Sequence, residues 1–254
     1  MRFSANLGFL WTELSLPDAV RAAKRAGFDA VECHWPYDTP ADEVALALEE
    51  TGMAMLGLNT ARGDVAAGEN GLAALPGRES DARAAIDQAI DYAHAVGAQN
   101  VHVMAGFASG EAAHKSFIEA LRYAGARAAP HGIGILIEPL NRYDAPGYFL
   151  QTTGQAVAIL DEVASDSVRL MFDCYHVQLM EGDLSNRLMA LLPRIGHVQF
   201  ASVPDRCAPD QGEVDYAHIF ALLDDFGYAK PLGAEYKPHG STDDTLGWLA
   251  KLRT

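Results

Sequence analysis

Residues 134–141 read GILIEPLN: a short apolar run, one glutamate, then proline and asparagine. Such a run forms the kind of parallel strand that is covered on both faces, and Glu138 stands where it ends. Burying an unpaired carboxylate there is costly enough that Glu138 must have a partner. How the chain supplies that partner decides how the rest is read.

Working outward, seven more runs share this character: RFSANL (2–7), AVECHW (30–35), MLGLN (55–59), NVHVMAG (100–106), RLMFDCY (169–175), GHVQFAS (196–202) and LGAEYK (232–237), with 134–140 as the fifth of eight. Between them the spacing turns helical and the punctuation is that of helix ends. Ser15 caps a helix with Pro17 in its first turn that ends at Gly27. Thr39 and Pro40 open one that stops at Gly52, and an alanine-rich segment from Glu79 stops at Gly97. The segment after Ser109 runs to near Gly132, and Asp215 begins a helix that ends by Gly227. Eight alternations without a composition break predict an α/β fold, a single (β/α)8 TIM barrel over residues 1–254. A doubly wound nucleotide-binding sheet also alternates, but no GxGxxG or GxxxxGK[ST] follows any strand.

In such barrels the chemistry sits at the carboxyl ends of the strands. Asn6 ends the first, Glu32 and His34 the second, and Asn59 the third; His102 lies in the fourth. Strands five to eight then each deliver an oxygen donor near the same end: Glu138, Asp173, Gln199 and Glu235. Three acids and an amide on one axis repel one another unless a cation joins them, and hard oxygen donors suit Mg²⁺ or Mn²⁺ better than zinc. The competing account of any single acid is a buried ion pair, for which Lys237, two residues past Glu235 on the same face, is the strongest candidate. His102 and His197, inside apolar strands, read as hydrogen-bonded core residues. His176 falls just past a strand, in a loop over the site.

Composition narrows the function further. The 254 residues carry a net charge of −15, which repels a phosphate backbone, so nucleic acid is a poor partner. Hydrophobic residues make up 49% of the chain, enough for a large core, yet no window has the run of about 18 apolar residues that a membrane span needs. The three cysteines, Cys33, Cys174 and Cys207, are widely spaced and fit reduced thiols. With an amino terminus that does not read as a signal peptide, the expected compartment is the cytoplasm. A homo-oligomer is left open. Two long loops stand out: 63–79, which has the length and glycines of a lid, and 202–216, where Arg206 could clamp a substrate carboxylate.

Taken together, RFSANL, VECHWPYD, GDVAAGENGLAALPGRE, IEPLNRYDAPGYFL, FDCYHVQLMEGDL, IGHVQFA, GEVDY and EYKP resemble the hydroxypyruvate isomerase family of xylose isomerase-like TIM barrels, over nearly the whole chain. The resemblance implies one divalent ion, Mg²⁺ or Mn²⁺, held by Glu138, Asp173, Gln199 and Glu235, with Glu138 and Glu235 doubling as acid and base. It implies a small hydroxy-oxo acid or sugar as substrate, with His176, Arg206, Lys237, Asn59 and Glu32 as candidates for holding it. Departures from the family's pattern, Ser202, Cys207, Asp210, Gln211 and Val65, border the substrate. Rival activities on the same fold are a ketose 3-epimerase, a 2-oxo-tetronate isomerase, an inosose-type dehydratase and a three-zinc endonuclease, the last opposed by the acidic charge and sparse strand-end histidines. A metal-dependent sugar-acid binding protein without turnover is the reading from a different class.

Overall fold

The computed structural model describes residues 1–252. The strands are Phe3–Asn6 (β1), Ala30–Glu32 (β2), Ala54–Met55 (β3), Leu58–Asn59 (β4), Asn100–His102 (β5), Gly134–Ile137 (β6), Val168–Asp173 (β7), Ile195–Phe200 (β8) and Leu232–Ala234 (β9). All neighbours pair in parallel, in the order β3-β2-β1-β9-β8-β7-β6-β5-β4. β3 and β4 are two halves of one barrel strand, interrupted at Leu56–Gly57: β3 pairs with β2 and β4 with β5, so the sheet closes on itself. Backbone bonds span the break, Leu56 N–H to Val31 O at 2.7 Å and Cys33 N–H to Gly57 O at 3.1 Å. The expected run 55–59 is thus one strand position but not one continuous strand.

Most of the other strands are shorter than their apolar runs. β2 stops at Glu32, β5 at His102, β6 at Ile137 and β9 at Ala234, which leaves Glu138 and Glu235 on the first residues beyond the ladder. The run 169–175 ends early for a specific reason. Asp173 accepts the Tyr175 N–H through its side chain at 2.9 Å and so caps a helix that starts at once, Cys174–Met180. His176 therefore sits on a helix and not in a loop.

The helices outside the barrel follow their punctuation. Leu16–Ala26 (α1) is capped by Ser15 and ends at Gly27 in the left-handed region; Glu79–Val96 (α3) ends at Gly97 in the same way. Ala41–Thr51 (α2) begins with Pro40 as its cap residue, and Thr39 provides no side-chain bond. Gly110–Ala128 (α4) passes into a 3-10 turn, Ala129–His131, that Gly132 terminates. After it come Thr153–Val163 (α5), Cys174–Met180 (α6), Leu184–Leu191 (α7), Tyr216–Asp225 (α8), capped by Asp215, and Gly247–Lys251 (α9).

Strand alternation divides the buried residues into two layers. Phe3 and Phe200 face outward and pack with Phe220 and Trp248, ring centroids 4.9–5.9 Å apart, under α8 and α9. The barrel interior carries a polar group of its own: Ser4, Asn6, Glu32, His102, His197 and Gln199 are buried there beside apolar side chains such as Leu136 and Met171. No helix of the described residues is long and apolar enough to cross a membrane.

Candidate active site

The open end of the barrel gathers Glu138, Asp173, His176 and Glu235, all buried, with one potential ligand atom of each within 4.8 Å of the others. Gln199 belongs to the same array, since β7 and β8 place Asp173 beside it. The four oxygen-bearing residues expected at consecutive strand ends are thus brought together, and the group could hold a metal ion.

Their hydrogen bonding is uneven. Both oxygens of Glu235 are engaged: Oε1 accepts from Asn6 Nδ2 at 2.8 Å and His34 Nε2 at 2.9 Å, and Oε2 from Arg206 Nη2 at 2.6 Å, which leaves Oε2 a further lone pair. Glu138 Oε1, Asp173 Oδ2 and Gln199 Oε1, by contrast, are buried with no hydrogen-bond partner among the described residues. Leaving buried acceptors unpaired costs roughly 1–3 kcal/mol each, more for charged groups. Three together, on oxygen donors only, fit a hard divalent cation better than any side chain nearby.

The electrostatics agree. Burial, then the charges of Glu235 and Asp173, push the Glu138 carboxyl well above the usual range. Burial and the charge of Glu235 push Asp173 up to about 7. Burial pushes Glu235 up as well, but Arg206 and the bond from His34 outweigh it and hold it at about 2. Without added positive charge the cluster cannot carry three full negative charges, and it divides into an ionised Glu235 and a proton-retaining Glu138.

The charge partner of Glu235 is Arg206, and Lys237 is not. The Lys237 backbone N–H bonds Arg206 O at 2.7 Å while its exposed side chain lies over Phe9 at 5.9 Å. Strand β9 has already ended, so the same-face expectation does not apply beyond Glu235. Arg206 is held between the rings of Phe9 and Tyr175, each 4.9 Å away, and also reaches Asp173 Oδ2 at 3.6 Å and Asp144 at 3.4 Å.

His176 has its tautomer set from outside. Its Nδ1 faces only donors, the Asn141 backbone N–H at 3.0 Å and the Asn141 Nδ2 at 2.7 Å, so Nδ1 accepts. Burial and the nearby Arg206 hold this imidazole well below its ordinary pKa. A neutral ring then carries its proton on Nε2, 3.6 Å from Asp173 Oδ2 and 3.9 Å from Glu138 Oε1. That makes His176 a donor into the site rather than a metal ligand.

Glu32 and Asn59 lie lower. Both line a small cavity in the barrel interior with Asn6, His102, His197 and Gln199. His197 is hydrogen-bonded as expected, Nε2 to Glu32 Oε2 at 2.8 Å. His102 is not: neither ring nitrogen has a hydrogen-bond partner among the described residues, Nδ1 stands 3.6 Å from Glu138 Oε2, and burial holds the ring at about 4. The 63–79 loop is pinned over its second half, where Gly71 bridges to Ala105 and the N–H groups of Ala73 and Ala74 bond Met104 O and Ala105 O.

Asn6, His34 and Asn141 had no assigned role from the sequence. Asn6 and His34 end the first two apolar runs, and His34 is two residues past Glu32, but their partner Glu235 is 229 and 201 residues away. Gly8 matters here too: a Cβ at this position would stand 2.0 Å from His34 Nδ1, so only glycine lets the imidazole swing onto Glu235.

Comparison with known proteins places these features in a group. The family model described as xylose isomerase-like TIM barrel matches residues 20–252. The chain is 42% identical over 252 residues to the 2-oxo-tetronate isomerase of Cupriavidus necator, covering 98% of this chain and 97% of that one. It is 37% identical to the hydroxypyruvate isomerase of Escherichia coli over 258 residues, covering all of both. A crystal structure named as an AP endonuclease, family 2, from Brucella melitensis superposes with a TM-score of 0.95 at 41% identity, covering 100% of this chain and 99% of that one.

Proposed function

Since the chain belongs to the xylose isomerase-like TIM barrel family, we propose that it is an isomerase of the aldose–ketose type, acting on a short hydroxy-oxo acid: hydroxypyruvate, interconverted with tartronate semialdehyde, or its four-carbon relative 2-oxo-tetronate. The observation that carries this reading is the set of three unpaired buried oxygens, Glu138 Oε1, Asp173 Oδ2 and Gln199 Oε1, facing the same opening as an ionised Glu235. We assign Glu138, Asp173, Gln199 and Glu235 as the residues that hold one Mg²⁺ or Mn²⁺. When bound, such an ion supplies positive charge where a substrate oxygen gains negative charge.

The rest of the chemistry belongs to side chains. Converting hydroxypyruvate moves a proton from C3 to C2, through an enediolate whose difficulty is the charge developing on oxygen. Two carboxyl groups that flank the substrate can take a proton from one carbon and return it to the next, and we assign these roles to Glu138 and Glu235, which stand together at the open end of the barrel. His176 Nε2–H and the Arg206 guanidinium are donors for substrate oxygens, and Lys237 stands at the rim as a further cation. Asn59 and Glu32 line the interior behind them.

The two substrates pose the same problem. A 2-oxo-tetronate differs from hydroxypyruvate by a hydroxymethyl group on C3, and the proton again moves between C2 and C3. Full-length identity of 42% to an enzyme named for the four-carbon acid keeps it beside hydroxypyruvate as a candidate. A nuclease reading, prompted by the name given to the Brucella protein, has the net charge of −15 against it and a histidine committed to Asn141.

The test is proton NMR in D₂O of metal-stripped protein with each acid, before and after Mg²⁺ or Mn²⁺. Expected is metal-dependent product with deuterium entering at the exchanging carbon, the faster substrate being the better candidate. No product and no exchange with either acid overturns the proposal and leaves a sugar epimerase or a silent binder.

A further inference from the structure

Beneath the cluster of three carboxylates lies a fourth acid that the reaction does not use. Glu32 is buried at the end of β2, with its carboxylate turned inward. Its Oε2 accepts from His197 Nε2 at 2.8 Å and from Gln199 Nε2 at 3.2 Å; Ser4 Oγ is 3.4 Å from its Oε1. Room for it comes from the opposite wall: a Cβ on Gly233 would stand 2.2 Å from Glu32 Oε1 and 2.8 Å from both His197 Nε2 and Gln199 Cγ.

The consequence falls on Gln199. An amide has one accepting and one donating end, and nothing in its own shape selects which end faces a cation. The neighbours of its nitrogen are Glu32 Oε2 and, at 3.4 Å, Glu235 Oε1, both of which only accept. The nitrogen must therefore point at them, which leaves Oε1 as the unpaired end. Glu235 already accepts from Asn6, His34 and Arg206 and is the more distant of the two, so Glu32 is the principal acceptor for this amide.

We propose that Glu32 is a positioning residue: held by His197 in a space cleared by Gly233, it fixes the Gln199 amide with its carbonyl oxygen outward as a cation donor. This rests on the metal site proposed above and replaces a direct substrate role for Glu32. Partners that orient a ligand in this way commonly contribute about 10–100-fold in metal affinity.

The experiment is calorimetric titration of Mn²⁺ into metal-stripped wild type, Glu32→Met, Gln199→Ala and the double variant, without substrate. Glu32→Met keeps the length but removes the oxygen acceptor that Gln199 needs, whereas Glu32→Gln could turn its own carbonyl to Gln199 and should bind Mn²⁺ nearly as the wild type does. We expect Glu32→Met to weaken Mn²⁺ binding about 10–100-fold, and the double variant to bind no worse than Gln199→Ala, because residues acting through one another are not additive. At saturating Mn²⁺ the Glu32→Met protein should keep the wild-type KM, which loss of a substrate contact would raise. Wild-type affinity in Glu32→Met, or losses that simply add in the double variant, overturns the positioning role while the metal site stands. A wild type that takes up no Mn²⁺ removes the metal site and this inference with it. Should Glu32→Met not fold, Glu32→Asp withdraws the acceptor from Gln199 while keeping the charge, and the same loss is expected.

Discussion

At the scale of single residues, the site is built by giving chemically alike groups unlike surroundings. Glu138 and Glu235 are both buried glutamates just past a strand, yet one has an unpaired oxygen and the other accepts from Asn6, His34 and Arg206. Replacing Glu235 by glutamine removes one member of the acid–base pair and should lower turnover by about 10²–10⁴-fold. Far-UV circular dichroism should stay that of the wild type, since the amide keeps the shape; wild-type turnover would remove Glu235 from the mechanism. Gly8→Ala probes the same carboxylate indirectly, because the added methyl meets His34 at 2.0 Å. Displacing that imidazole takes away one donor to Glu235, so kcat should fall while Arg206 and Asn6 still hold the carboxylate; an unchanged kcat would show that His34 is not needed there. The oxygen donors were legible in the sequence because each closes an apolar run. The partners of Glu235 were not, because periodicity reports which way a side chain faces and says nothing of what stands across a barrel from it.

Secondary-structure elements show a similar division. Helix ends marked by glycine or by a Ser or Asp cap fall where the sequence puts them, because those residues act through their own backbone. Strand ends fall short of the apolar runs, because residues past them such as Tyr236 stay buried by packing after the ladder has ended. The turn from β7 directly into α6 was hidden for a related reason: FDCYH is rich in strand formers, and the single bond from the Tyr175 N–H to Asp173 overrides them. One helix end departs from its neighbours. Helix α5 closes at Ala164 in the left-handed region, φ 53° and ψ 46°, where α1, α2 and α3 use glycine. An L-residue there costs about 1–2 kcal/mol, partly offset by the freedom a glycine loses on folding. Ala164→Gly should therefore stabilise the protein by about 0.5–1 kcal/mol, seen as a higher urea midpoint with an unchanged slope and unchanged turnover. A lower midpoint would mean that the alanine methyl contributes more by packing than its backbone loses.

For the whole molecule, the closed barrel makes site and stability one question. The four proposed ligands come from the ends of β6, β7, β8 and β9, adjacent strands that part company when the chain unfolds. An ion bound across them favours the closed form and has no matching site in an unfolded chain, so it stabilises by mass action, about 2.7 kcal/mol at a hundred times its dissociation constant. In a chain of this size each kcal/mol moves the melting temperature by about 2–4 °C, so saturating Mn²⁺ should raise it by roughly 5–10 °C over protein in excess chelator. The shift should appear in one cooperative transition, since the aromatic cluster of Phe3, Phe200, Phe220 and Trp248 joins the first strand, the eighth and the last helix in a single core. Differential scanning calorimetry reads both properties at once. Two transitions of which only one responds to Mn²⁺ would divide the chain into separate folding units. One transition that does not move would mean that no ion bridges the strands, and the buried acids would then depend on Arg206 alone, with Glu138 keeping its proton.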